Sequence, residues 1–532
     1  MDSSAYLWRP AGDDSGVLRG LTMPDALASA VTTRGGAPAV IQGGSTLTWA
    51  QIGERTATLA ARLRAAGFGP GHVIGVHLPN CWPFLVAHLA IAEIGAVMLP
   101  LHAPYREREL ASYLAFAEAR GVIVMSGAGE AKLAAIRADL PFLAVSVVVD
   151  LESDANAFVV HGELGTGARE PGHVVVPDDP LCLIPTSGTE SLKPKLCMHS
   201  HDGLLSNAVA FAESARVTCD DRLVIGSGYT HLFGMLGVHL ALVRAATLIA
   251  VPAYSADAYL DAAEKHAATM AWAVPTQLVD LTIARERDPS HVLRLREVRT
   301  GGAPIAAELS DRVRTSLCEN LVVHWGMSEL GGGITTAGLR LEPKLIGVPL
   351  PGAQARVVDA AGNETAPGKT GDLLYRRADM FRGYFRDEAT TAASITHDGW
   401  LRTGDLAARD AHGRIWYEGR EKDLINRGGY KISAYEIEAL LGGLAAIRQA
   451  AVVCVPDERM GEKGCLCVAL HPGASLTLAD VSAHLDARGL AKYKWPEHLL
   501  VLDELPATPT GKIWKKVLRE LAAERVRERV LS

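Results

Sequence analysis

Short apolar runs of strand length recur along most of this chain with helical stretches between them, and this alternation constrains the fold more than any other feature. Residues 73–78, 122–125, 145–150, 223–225, 247–251 and 321–323 read as buried strands. Helical patterns intervene at 82–94, with Pro83 in the tolerated first turn, and at 256–266. An earlier helix over 47–67 opens with Thr48 and Gln51 at capping-box spacing, repeats Ile52, Leu59 and Leu63 on one face, and stops at Gly67. Alternation on this scale predicts an α/β fold with a large layered N-terminal domain.

The pattern changes after about Gly347. Runs over 353–359, 371–376 and 414–418 are short and separated by Gly, Pro, Asn or Asp, which predicts a β-rich subdomain. From Gly419 onward, strand-like 451–455 and 465–470 mix with helices near 434–441, 478–488 and 513–521. We therefore expect residues 1–419 to form the large domain and 420–532 a small mobile α+β domain.

Charge and cysteine usage exclude several classes. A formal net charge of -7 argues against nucleic acid as a partner. The eight cysteines show no paired CxxC units, so neither a zinc site nor a disulfide framework is expected. Cys465 and Cys467 stand two apart in an alternating run and share one strand face. The most apolar stretches, 84–100 and 236–251, are interrupted by Glu93 and Arg244, so no membrane insertion is expected. The N-terminus lacks a basic segment followed by an apolar one, and the expected location is cytoplasmic.

Several segments read by themselves either as plain structure (a surface turn, a core tryptophan beside an exposed glutamate, a common loop) or as chemistry. Thr186, Ser187, Gly188, Thr189, Glu190, Ser191, Leu192, Lys193, Pro194 and Lys195 follow an apolar run. Small hydroxyl residues and a glycine let backbone N–H groups approach phosphate, and the two lysines add positive charge. The GxxxxGK[ST] spacing of a Walker loop is absent. Farther on, Glu329 in His324-Trp325-Gly326-Met327-Ser328-Glu329 suits magnesium, and Trp325 offers a flat face to a base. Asp405, after Thr403-Gly404, can accept both hydroxyls of a ribose.

Together these segments resemble the ANL superfamily, which comprises acyl- and aryl-CoA synthetases, adenylation domains and beetle luciferases. The first resembles that family's TSGTTGxPKG phosphate loop, keeping Thr186, Ser187, Gly188, Thr189, Pro194 and Lys195. It departs at Glu190, Ser191 and Leu196 and is one residue longer; a carboxylate at Glu190 repels phosphate unless it points away. The second resembles the YGxTE motif, with Trp325 in the Tyr position and Ser328 in the Thr position. Gly419-Arg420-Glu421-Lys422-Asp423, continuing through Gly428-Gly429-Tyr430-Lys431 to Glu436-Ile437-Glu438, resembles the hinge motif. Thr510-Gly511-Lys512-Ile513 resembles the terminal lysine motif.

The resemblance implies roles. Thr186, Ser187, Gly188, Thr189 and Lys195 would hold phosphates, and Gly302, Ala303, Trp325 and Ser328 would border adenine. Asp405 and Arg420 would hold ribose and phosphate, Glu329 the metal, and Lys431 the phosphate side of an incoming thiol carrier. Lys512 would be the adenylation lysine and Lys422 the hinge. The acid would sit among Tyr229, His231, Phe233, Gly301, Gly331 and Gly332, with His231 beside the reaction channel. Residues 227–234 contain no aspartate to pair with an α-ammonium, and Leu232 replaces the asparagine of catechol-acid activators, so an apolar acyl or aryl acid is expected.

The implied activity uses ATP and Mg2+ to turn a carboxylic acid into its acyl adenylate, then transfers the acyl group to coenzyme A. A carrier protein's phosphopantetheine arm is the alternative acceptor, and a homodimer is allowed. A non-catalytic homologue is the third reading, prompted by Glu190 and opposed by Glu329, Asp405, Arg420 and Lys512.

Overall fold

The computed structural model describes residues 19–151, 157–164, 173–186, 194–442, 444–508 and 513–531, the last four as backbone only. Two large sheets and one small sheet organise them. The first large sheet has seven strands, with Gly121–Met125, Val73–His77 and Val97–Pro100 parallel near its centre. Their continuous Val, Ile and Leu content is what a sheet covered on both faces requires.

The second large sheet has thirteen strands and changes character midway. Arg222–Ile225, Thr247–Ala250, Met270–Trp272, Glu297–Gly301 and Leu321–Met327 pair in parallel. Beyond Leu321–Met327 the pairing is antiparallel, through Gly331–Thr335 and Leu345–Pro349 to Ile415–Arg420 and Leu401–Arg409. The expected β-rich segment thus continues the layered α/β sheet. Crossover helices put loops at the carboxyl ends of the parallel strands, where α/β sheets form their ligand clefts.

Three helices fill the space between the large sheets. Trp82–Glu93 and Leu232–Arg244 are apolar almost all round and buried almost throughout, as a helix must be when no face meets water. His201–Ser214 packs beside Leu232–Arg244 and carries buried polar groups, including Asn207. The helix Trp49–Ala65 starts in the expected capping box, with Thr48 accepting from the Gln51 N–H.

Leu424–Arg427, Tyr430–Ser433, Ile447–Asp457, Gly461–Leu470 and His498–Leu502 form the small sheet. Gly428 and Gly429 both have positive φ, 56° and 88°, the pair of conformations a two-residue hairpin turn demands. Cys465 and Cys467 are buried in one cluster with Leu505 and Leu518, as the alternation predicts. A 3-10 turn, Glu421–Asp423, separates the last strand of the thirteen-stranded sheet from the first of the small one. Among the described residues, no helix is long and apolar enough to cross a membrane.

Candidate active site

The site forms where the parallel half of the large sheet meets its antiparallel half. Leu321–Met327 is longer than the sequence suggests and turns at Ser328 to Leu330 into Gly331–Thr335. Three glycines carry no strand signal, so this partner strand was not foreseen. Packing explains it: a Cβ on Gly332 would lie 1.9 Å from the Phe211 ring, so only glycine lets the strand approach the helix. Asn207 holds it there, donating to the Gly332 carbonyl at 2.9 Å and accepting from the Gly332 N–H at 3.2 Å.

The hairpin turn presents Glu329, only 5% exposed. Its Oε1 accepts from the Tyr384 hydroxyl at 2.6 Å and lies 4.0 Å from Lys195 Nζ. That ammonium sits 3.8 Å above the Tyr384 ring. Burial, then the adjacent Glu329 carboxylate, push the Tyr384 phenol well above its ordinary pKa, so it stays a donor. His199 Nε2–H donates to the Ser328 carbonyl at 2.7 Å and holds the turn from behind.

Asp405 comes from the antiparallel half. It lies within the strand Leu401–Arg409, where Gly404 takes φ 71°, rather than in a loop. Its Oδ2 accepts from Trp325 Nε1 at 2.7 Å and its Oδ1 from Arg420 Nε at 2.8 Å. The Asp405 carboxylate raises the Arg420 guanidinium above its usual pKa. A carboxylate accepts about four hydrogen bonds, so Asp405 retains the capacity to accept two more.

Two adjoining cavities contain most of the expected residues. The smaller, about 360 Å³, is lined by Thr186, Lys195, Phe233, Ser328, Glu329, Gly331 and Gly332. The larger, about 860 Å³, is lined by Ala303 and Asp405, and His231, Gly302, Trp325, Arg420 and Lys422 line both. His231 caps the Leu232–Arg244 helix, its Nδ1 accepting from the Phe233 N–H at 3.3 Å.

Some expected residues stand elsewhere. Tyr229 is 1% exposed, packs on Phe84 and lines neither cavity: burial among apolar groups places it behind the wall. Gly301 also stands behind it, close against the His324 carbonyl. Lys431 is exposed on Tyr430–Ser433, away from both cavities in this arrangement of the domains. Ser187, Gly188, Thr189 and Lys512 lie outside the described residues, although Thr508 and Ile513 on either side of Lys512 line the larger cavity. Asn207, Tyr384 and His199 were missed, because a polar residue inside an apolar helix or strand gives no local sign of what it will meet.

Magnesium fits this donor set. Glu329 offers a hard oxygen, and among the described residues no group of three or more His, Cys, Asp or Glu gathers to cage an ion. One carboxylate plus substrate phosphates is a usual magnesium arrangement.

The model of the AMP-binding enzyme family matches residues 27–385, and that of the AMP-binding enzyme C-terminal domain matches 436–512. A "Salicylyl-CoA synthase / salicylate adenylyltransferase" of Streptomyces sp is 34% identical, covering 96% of this chain and 95% of its own. A "Salicyl-AMP ligase / salicyl-S-ArCP synthetase" of Mycobacterium tuberculosis is also 34% identical, covering 89% of this chain and 85% of its own. The crystal structure of ATP-bound MatB from Rhodopseudomonas palustris is 26% identical and superposes with a TM-score of 0.81 over 94% of this chain and 99% of that one.

Proposed function

Because the chain belongs to the AMP-binding enzyme family of the ANL superfamily of adenylate-forming enzymes, we propose that it activates a carboxylic acid as its acyl adenylate and passes the acyl group to the thiol of coenzyme A. The observation that carries this reading is the meeting of two cavities at His231, Trp325 and Arg420. The smaller is lined by Thr186 and Lys195, which would face the phosphates, and by apolar residues that would receive an acid; the larger is lined by Asp405 and Arg420, which would hold the ribose, and would admit a thiol.

In the first step the acid's carboxylate oxygen attacks the α-phosphorus of ATP, the bond to the β-bridging oxygen breaks, and pyrophosphate leaves. Asp405 and Arg420 fix the ribose side, and Thr186 and Lys195 face the phosphates. Bound magnesium supplies positive charge against the triphosphate, held through Glu329. Lys512 adds a cation where charge redistributes between carboxylate and α-phosphate. In the second step the thiol sulfur attacks the acyl carbon, the acyl–phosphate C–O bond breaks, AMP leaves, and the thiol proton passes to solvent. Lys422 is the hinge that separates the two arrangements, and Lys431 approaches the thiol carrier only in the second.

Phe211, Leu232, Phe233 and Leu236 favour an apolar acyl or aryl acid, and the salicylate-named relatives support the aryl choice. The M. tuberculosis relative's name also favours a second reading, in which a carrier protein's phosphopantetheine arm takes the acyl group. Pyrophosphate exchange screened over aryl and alkyl acids, followed by acyl transfer to coenzyme A or to a loaded carrier, tests both. Acid-dependent exchange with thioester on coenzyme A is expected. Exchange with transfer only to the carrier selects the second reading, and no exchange with any acid rejects adenylation.

A further inference from the structure

Behind the smaller cavity lies a chain of buried polar groups that none of the roles above uses. His324 is 5% exposed and is among the residues that line both cavities. It stands in Leu321–Met327, in register with Gly301 of the neighbouring strand. Phe211 lies 4.6 Å from it between ring centroids, Phe233 6.3 Å, and Trp272 stacks on it at 6.1 Å and 11°. On its far side Arg299, 0% exposed, places Nη1 2.8 Å from His324 Nε2. Glu297 pairs with the Arg299 Nε and keeps that guanidinium charged and in place.

This contact fixes the histidine's proton. A guanidinium only donates, so Nε2 of His324 must be the acceptor and the ring proton must sit on Nδ1. Burial, then the Arg299 charge, hold the imidazole well below its ordinary pKa, so the neutral tautomer persists. Nδ1–H is therefore a donor, and it meets no acceptor among the described residues. Buried donors are nearly always matched, and an unmatched one calls for a ligand, water or other explanation. Asn207, the polar neighbour on the adjoining helix, is already engaged with Gly332. Phe211, Leu232, Phe233 and Leu236 contribute no polar side-chain atoms.

We propose that His324 is a specificity-determining donor whose Nδ1–H recognises an oxygen acceptor on the acyl or aryl part of the acid, with Arg299 as the positioning residue that sets its tautomer. The substrate is then an oxygen-bearing acid, with a ring hydroxyl, ether or keto oxygen, rather than a plain hydrocarbon acid. This rests on the adenylation reading above and deepens it. Nδ1 is closed to solvent and the Phe211, Phe233 and Trp272 rings pack on the imidazole, so an acceptor reaches it only when that packing shifts.

The test uses pairs of acids matched in shape, in which an oxygen substituent is replaced by methyl or methylene, and reads acid-dependent pyrophosphate exchange. The wild-type enzyme should favour the best oxygenated acid over its partner by about tenfold to a hundredfold in kcat/KM. His324→Phe should abolish that preference while leaving the KM for ATP unchanged. Arg299→Met should relax it, because the ring can then move its proton to Nε2. Equal or better use of the hydrocarbon partner in every pair overturns the proposal, as does a preference that survives in folded His324→Phe. Should neither variant fold, the wild-type pairs decide it. Exchange with no acid at all sinks the adenylation reading itself, a result distinct from exchange without discrimination.

Discussion

Asp405 and Arg420 are register partners on adjacent antiparallel strands, and Arg420 Nε donates to Asp405 Oδ1 at 2.8 Å. Trp325 holds the other carboxylate oxygen at 2.7 Å, so one buried acid ties two consecutive strands to a segment 80 residues earlier. Arg420 is also the last residue of its strand, and the turn to the small domain follows directly.

Asp405→Ala should therefore raise the KM for ATP about 10- to 100-fold, the loss of a charged hydrogen-bonding partner being about 1.5–3 kcal/mol. Trp325→Phe should act in the same direction but less, because it removes only the N–H that aims the carboxylate. Initial rates against ATP concentration check both. An unchanged KM in folded Asp405→Ala would remove the ribose assignment.

Glu329→Gln should lower adenylation most at limiting magnesium, since the amide keeps the Tyr384 hydrogen bond but loses the charge facing Lys195. Magnesium titration of pyrophosphate exchange checks this. A magnesium dependence that overlays the wild type would mean that the carboxylate serves only the hairpin turn.

The proposed hinge at Lys422 lies between two anchored segments. Arg420 is bound to Asp405 in the large sheet, whereas Asp423 is bound to the final helix, 3.6 Å from Lys515 Nζ and 2.5 Å from Arg519 Nη2. Glu421 and Lys422 lie between these anchors. Lys422→Pro fixes φ there and should slow acyl transfer while sparing adenylate formation. Rapid-quench measurement of thioester formation from preformed adenylate checks it, and transfer at the normal rate would place the pivot elsewhere.

Stability should depend on pH through His199 and His201. Burial lowers both from 6.5 to about 4, so the folded protein keeps them neutral while the unfolded chain takes up protons below 6.5. Their stabilising effect is complete above 6.5 and is lost as pH falls toward 4. The slope approaches about 1.4 kcal/mol per pH unit for each histidine well below 6.5 and is half that at 6.5, so moving from pH 6.5 to 5.5 should cost about 1 kcal/mol for each of these two, roughly 2 kcal/mol from the pair. Denaturant midpoints at the two pH values, with His199→Gln showing a shallower slope, check the sign and size.

Much of this was legible in local patterns. The capping box at Thr48, the paired glycines at Gly428 and Gly429, and the shared face of Cys465 and Cys467 all depend on neighbours within a few residues. Asp405 and Glu329 stand out because their motifs follow in order along the chain, and both line the cavities. The strand Gly331–Thr335 gave no such signal, because Gly332 records the approach of Phe211 and Gly331 that of Asn207, both about 120 residues earlier. Asn207, Tyr384 and the Arg299–His324 contact are likewise products of tertiary packing, and no periodicity announces them.

In the proposed mechanism one enzyme performs two separable half-reactions, with Lys512 serving only the first. The direct measurement compares wild type and Lys512→Ala in pyrophosphate exchange and, separately, in thioester formation from supplied acyl adenylate. Exchange should fall by a factor equivalent to about 3–4 kcal/mol, as for the loss of a strong oxyanion donor, while transfer to the thiol stays near the wild-type rate. Equal loss of both steps in the folded variant, or exchange undiminished, would contradict it.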